Sequence, residues 1–148
     1  MPRVTRRRTI AAPREEVWAL VSDPYSLPRW WPRTKRVENV ESDAARSEWT
    51  AVLATAEGRG VRADYRRTGV AEGERYGWEQ RLAGTPFARH LRRSGVEIEL
   101  RPGGDGTEVS LSSDQAMRGL SRLGAPMLRG AQASILDEAL DGLERALT

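Results

Sequence analysis

The sequence has no cysteine and one histidine, His90. Disulfides, thiol nucleophiles, iron–sulfur clusters and cysteine-type zinc sites are therefore excluded, as is a multi-histidine metal centre. Lysine also occurs once, as Lys35. A Gly-Lys-Ser/Thr phosphate loop is thus absent, and Schiff-base chemistry has a single candidate. Lys35 follows Trp31-Pro32 at the expected start of a strand, a surface position poorly suited to iminium catalysis. No apolar run approaches the ~18 residues of a membrane span. The basic start, MPRVTRRRTI, has no apolar stretch behind it and does not read as a signal peptide. These absences lead us to expect a cytoplasmic protein without a metal or organic cofactor.

The 148 residues are 39% hydrophobic and 30% charged, the composition of an ordinary globular chain, and suggest one domain over 1–148. Arginine occurs 23 times, yet the net charge is only +3. The arginines run from Arg3 to Arg145 with acidic residues interspersed, whereas a nucleic-acid footprint gathers on one face. No specific nucleic-acid partner is expected.

Residues 3–10 read as a strand. Pro13, followed by Glu15 and Glu16, suits a helix start, because proline fits the first turn and carboxylates favour the positive end of the dipole. Val17, Leu20 and Val21 give this helix an apolar face. Ser22-Asp23-Pro24 stops it and opens a shorter helix ending near Trp30–Trp31, before Pro32. Alternation then replaces helical periodicity. Strands are expected near 35–41, 47–55, 60–70, 74–83, 88–101 and 107–116, joined by turns short enough for a consecutive antiparallel meander. Residues 119–147 read as a long amphipathic helix that Pro126 starts or kinks, with Leu136, Ala139, Leu140 and Leu143 on one side. The fold class is α+β, a curved seven-stranded antiparallel sheet wrapped around the C-terminal helix, with two short helices after the first strand. Where helix and sheet part company, a cavity is expected.

Ile10-x-Ala12-Pro13-x-Glu15-Glu16-Val17-Trp18, Ser22-Asp23-Pro24-x-x-Leu27-Pro28-x-Trp30, Pro32 and Arg36-Val37-Glu38 together resemble the opening of the START-like, or SRPBCC, superfamily. Within it the chain is most similar to the polyketide cyclase/dehydrase and lipid-transport group. Gly119-Leu120-x-x-Leu123-x-Ala125-Pro126-x-Leu128-Arg129 resembles the lead into that group's last helix. The resemblance extends over the whole chain and implies a helix-grip fold with a deep cavity for a hydrophobic small molecule. It does not specify the ligand or a reaction.

Strand alternation proposes what lines that cavity. Tyr76, Trp78, Gln80 and Leu82 share one face of 74–83, and Val61, Ala63, Tyr65 and Arg67 share one face of 60–70. Val96, Ile98 and Leu100 point inward with Ser94, Arg92 and His90 behind them, as do Val109, Leu111, Ser113 and Gln115. In 47–55 the inward set is Trp49, Ala51 and Leu53. The pairs Arg66-Arg67 and Arg92-Arg93 each send one arginine inward if the strands are regular, and Arg6-Arg7-Arg8 sends at least one. A buried guanidinium needs a partner. Arg67 and Arg92 therefore either pair with carboxylates, lie open at strand ends, or await an anionic ligand. Met117 and Met127 flank the expected kink and suit an adaptable cavity edge.

The candidate ligand-binding set is Trp49, Tyr65, Arg67, Trp78, Gln80, His90, Arg92, Ser94, Ser113, Met117 and Met127. Three functions compete. The first is binding or transport of a hydrophobic, in one reading anionic, small molecule such as a lipid, isoprenoid or polyketide-like aromatic. The second is a cofactor-independent cyclase/dehydratase, with Tyr65, Arg67 and His90 as catalytic candidates. The third is a protein-interaction domain resembling co-chaperones, which a filled core would favour. Both monomer and homodimer are compatible with the sequence.

Overall fold

The computed structural model describes residues 3–43, 45–55, 58, 60–119 and 124–148. Strand β1 (Arg3–Ile10) leads into helix α1 (Arg14–Val21), a 3-10 turn (Pro24–Ser26) and the short helix α2 (Leu27–Trp30). The meander follows as β2 (Thr34–Ser42), β3 (Ser47–Ala54), β4 (Gly60–Ala71), β5 (Arg75–Gln80), β6 (Leu91–Gly103) and β7 (Gly106–Met117). Helix α3 (Gly124–Leu147) closes the order. Each meander strand pairs antiparallel with the next, and β1 joins β7, giving the open seven-stranded sheet β1-β7-β6-β5-β4-β3-β2. This is the helix-grip architecture expected from the sequence.

Local chemistry explains the boundaries. Asp23 accepts the Tyr25 backbone N–H at 3.0 Å and the Ser26 hydroxyl at 3.2 Å, so its carboxylate caps the turn that Pro24 begins. The expected five-residue turn at Pro102–Gly106 contracts to Gly104-Asp105, since β6 runs to Gly103 and Gly104 supplies the positive φ of 59° that a tight hairpin needs. Strand β5 ends at Gln80 rather than near residue 83. Residues 86–89 form a 3-10 turn, because Pro86 presets helical φ at its first position, so β6 starts at Leu91 rather than near 88. Of the expected 119–147 helix, residues 120–123 lie outside the described residues, and Pro126 sits in the first turn of α3, where its missing N–H costs nothing.

The core forms where α3 crosses the concave face. Leu136, Ala139, Leu140 and Leu143, spaced for one helical stripe, are essentially inaccessible, and meet Ile10, Val17, Val109 and Leu111. The polar side of α3 is tied to β1: Arg8 donates to Asp141 at 2.5 Å and to Glu144 at 2.7 Å, and Arg6 approaches Asp137 at 3.7 Å. Thus Arg6 and Arg8 are the inward arginines of the triplet, and both are paired. Helix α3 packs against β1, β7, α1 and α2, at one side of the sheet. Its first half therefore overhangs the centre of the concave face.

Candidate ligand cavity

Under that overhang lies a cavity of about 370 Å³. Its roof is Gln132 and Ile135 of α3, its floor is Val96 of β6 and Ser113 and Gln115 of β7, and its walls include Leu53, Val61, Phe87 and Leu91. Trp31 and Trp78 close one side. Trp78 is the hub of an aromatic cluster, with ring centroids 5.2 Å from Trp31, 6.2 Å from Trp30 and 6.3 Å from both Trp49 and Tyr76. Edge-to-face contacts of this kind fix ring positions as well as bury area. Arg33, exposed and at a positive φ of 62°, stands at the rim.

Tyr65 lies flat on Trp49, at 6.1 Å and 17° between planes, with part of its ring open to the cavity. Burial pushes its phenol up to about 12, so it is a proton donor at neutral pH. Arg33 and Tyr65 are the titratable groups among the described residues that line the space.

The sheet splits beside this cavity. Strands β5 and β6 pair as far as Glu79–Gly95 and then diverge. Gln80 stays with β4, opposite Tyr65, while Ser94 stays with β7, opposite Gln115. Gln80, Ser94 and Gly95 consequently line both the inner cavity and a depression of about 460 Å³ on the outer face. That outer depression is larger but bounded mainly by charged groups, Arg66, Glu79, Arg81, Arg92, Arg93 and Asp114. Gln115 donates to the Ser94 hydroxyl oxygen at 3.1 Å. The buried Gln80 Nε2 has no hydrogen-bond partner, an arrangement that is costly unless something fills it.

Tyr65, Trp78, Gln80, Ser94 and Ser113 thus meet at the cavity. Trp49 is 2% exposed and lies behind Tyr65, in the core. Arg67 is half-buried near the β2–β3 hairpin, where it reaches the Asp43 carbonyl at 3.5 Å, away from the cavity. The inward expectation for Arg92 fails because the β6–β7 register shifts between Leu91 and Arg93. This bulge puts Leu91 inside and sets two consecutive arginines on the outer depression, where Arg93 pairs with Asp114 at 3.2 Å. His90 precedes the strand instead of belonging to it: it caps the 86–89 turn and is exposed. Met117 is half-buried outside the cavity lining, and Met127, at 78% exposure, is a surface residue because it projects from the free side of α3. Phe87, Leu91, Gln132 and Arg33 were not among the sequence candidates. Periodicity on α3 could have singled out Gln132, one turn before Leu136, but the other three depend on the bulge, the 3-10 turn and the positive φ.

Residues 1–148 match the family described as polyketide cyclase / dehydrase and lipid transport. The chain belongs to that family. Solved structures agree on the fold. A START superfamily protein from Mycobacterium smegmatis superposes with a TM-score of 0.77 at 18% identity, over 98% of this chain and 96% of that one. The di-domain aromatase/cyclase StfQ of the steffimycin biosynthetic pathway gives 0.78 at 12% identity, covering 98% of this chain and 50% of StfQ. An aromatase/cyclase from Streptomyces sp. R1128 gives 0.71 at 18% identity, over 98% and 90%. No protein of curated function matches. Among the described residues, no helix is long and apolar enough to cross a membrane, and no three His, Asp or Glu side chains group as a metal site.

Proposed function

We propose that this chain binds a hydrophobic small molecule in the cavity between the sheet and α3. The observation that carries the reading is 370 Å³ of space whose wall is mostly aliphatic and aromatic, with a few polar groups: Tyr65, Gln80, Ser94 and Gln115 near the β5–β6 split, and Ser113, Gln132, Thr55 and Arg33 elsewhere on the wall. Small-molecule sites are mostly apolar spaces of ~300–1,000 Å³ with a few placed polar groups. Family membership supports the same reading. A cyclase or dehydratase would require a proton acceptor at the substrate. Among the described residues, the titratable lining groups are the exposed Arg33 and a Tyr65 held in its protonated form, and His90 lies elsewhere. Binding or transport is therefore preferred to catalysis, and the open space argues against the filled core of an interaction domain.

The test is titration with the neutral fluorophore N-phenyl-1-naphthylamine, monitored by quenching of Trp31 and Trp78. Saturable quenching that disappears in Val96→Trp, which fills the cavity from its floor, supports the proposal. Unsaturable quenching, or equal quenching in a folded Val96→Trp protein, opposes it.

A further inference from the structure

Immediately beyond the last β5–β6 pair, Gln80 and Ser94 are the next residues on the two diverging strands. Both border the inner cavity and the outer depression, so the split is where the two spaces approach each other through the sheet. The polar groups there include uncommitted donors. Gln80 Nε2 is buried with its N–H groups unpaired. The Ser94 oxygen already accepts from Gln115, which leaves its own O–H to donate outward. On the outer side the arginines outnumber the carboxylates. Glu79 is paired with Arg66, Asp114 with Arg93, and Arg81 reaches Glu48. Arg92, placed there by the bulge, is exposed and forms no ion pair among the described residues.

We propose that the split is a carboxylate-binding subsite. An apolar acid lies with its hydrocarbon body in the cavity and its carboxylate in the gap between β5 and β6. Gln80 Nε2 and Ser94 Oγ donate to the carboxylate oxygens, and Arg92 supplies the charge from the outer face. Two features fit an acid better than a neutral ligand. The donors there meet no carboxylate in the cavity lining, and Arg92, on the outer side of the split, is a guanidinium without an ion pair among the described residues, suited to carboxylates by its fork of N–H groups. The inference rests on the cavity reading and names the ligand class for it.

Decanoate and decanol, matched in chain length, separate the two claims when each displaces N-phenyl-1-naphthylamine. Gln80→Leu keeps size while removing the donors, and hydrogen bonds to a charged group are strong enough to weaken decanoate about tenfold or more. Ser94→Ala, a small change tolerated if Gln80→Leu does not fold, shifts decanoate in the same direction. Arg92→Ala weakens decanoate by a few-fold at low salt and by less at high salt, because an exposed charge is screened. Decanol, which carries no charge, weakens less than decanoate in each variant. If both ligands bind and neither variant distinguishes them, the carboxylate subsite is wrong while the cavity reading survives. If N-phenyl-1-naphthylamine does not bind the unaltered protein saturably, the cavity reading fails and takes the subsite with it; if it binds and decanoate does not displace it, the subsite alone fails.

Discussion

Gly142 of α3 lies against the backbone carbonyl of Trp30: a Cβ built on it would stand 2.2 Å from that oxygen. The absence of a side chain lets α3 approach α2 closely enough to seat Trp30, 2% exposed, beneath it. Helix propensity alone predicts that Gly→Ala stabilises by ~1 kcal/mol. At Gly142 the clash is with backbone on both sides, and overpacking of this kind costs about 1–3 kcal/mol. Gly142→Ala should therefore lower Tm by several degrees. Gly130, in the same helix, has open space where a methyl would stand, with nothing within 4 Å, so Gly130→Ala should raise Tm slightly. Thermal melts of the two variants check the sign at each position.

Arg8 joins β1 to α3 through Asp141 and Glu144, and the hydrogen bond to Asp141 leads the causes that raise its guanidinium above the usual arginine range. The carboxylates are 60% and 45% exposed, so solvent screens much of this attraction. Arg8→Met should cost about 1 kcal/mol in urea unfolding at low salt, with a smaller loss in ~1 M NaCl. A loss that salt leaves unchanged would assign the effect to packing instead of charge.

Tyr65 binds its proton more tightly folded than unfolded, since burial raises the phenol to about 12 from a reference of 10.0. Its contribution is fully present below pH 10 and is lost as pH rises towards 12, because the unfolded chain ionises first. Stability should fall over that window more steeply in the parent protein than in Tyr65→Phe. Tyrosinate absorbance in the near ultraviolet checks this directly: the variant should lack a component that ionises near pH 12.

The architecture was legible because it rests on repeated signals. Alternation in six segments, short turns and the Leu136–Leu143 stripe each point to the same sheet and helix, and one misplaced boundary does not alter them. Tyr76, Trp78, Ile98 and Leu111 are inward, as alternation assigns them. The cavity edge depends on single irregularities. One extra residue near Arg92 turns that side chain out and Leu91 in, and Pro86 converts the expected start of β6 into a turn that carries His90 to the surface. The bulge has no signature in residue pattern, because it changes register without changing composition; the turn does have one, in Pro86. The split between β5 and β6 is likewise a tertiary feature. Gln80 and Ser94 could be assigned to the inner face from alternation, but not to a gap.

Whether the space beneath α3 holds an apolar molecule is measured most directly by native mass spectrometry of gently purified protein, before and after organic extraction. The expected result is a near-stoichiometric adduct on the parent protein, removed by extraction and missing from Val96→Trp. Unmodified mass throughout, with no adduct regained on incubation with decanoate or decanol, would contradict it.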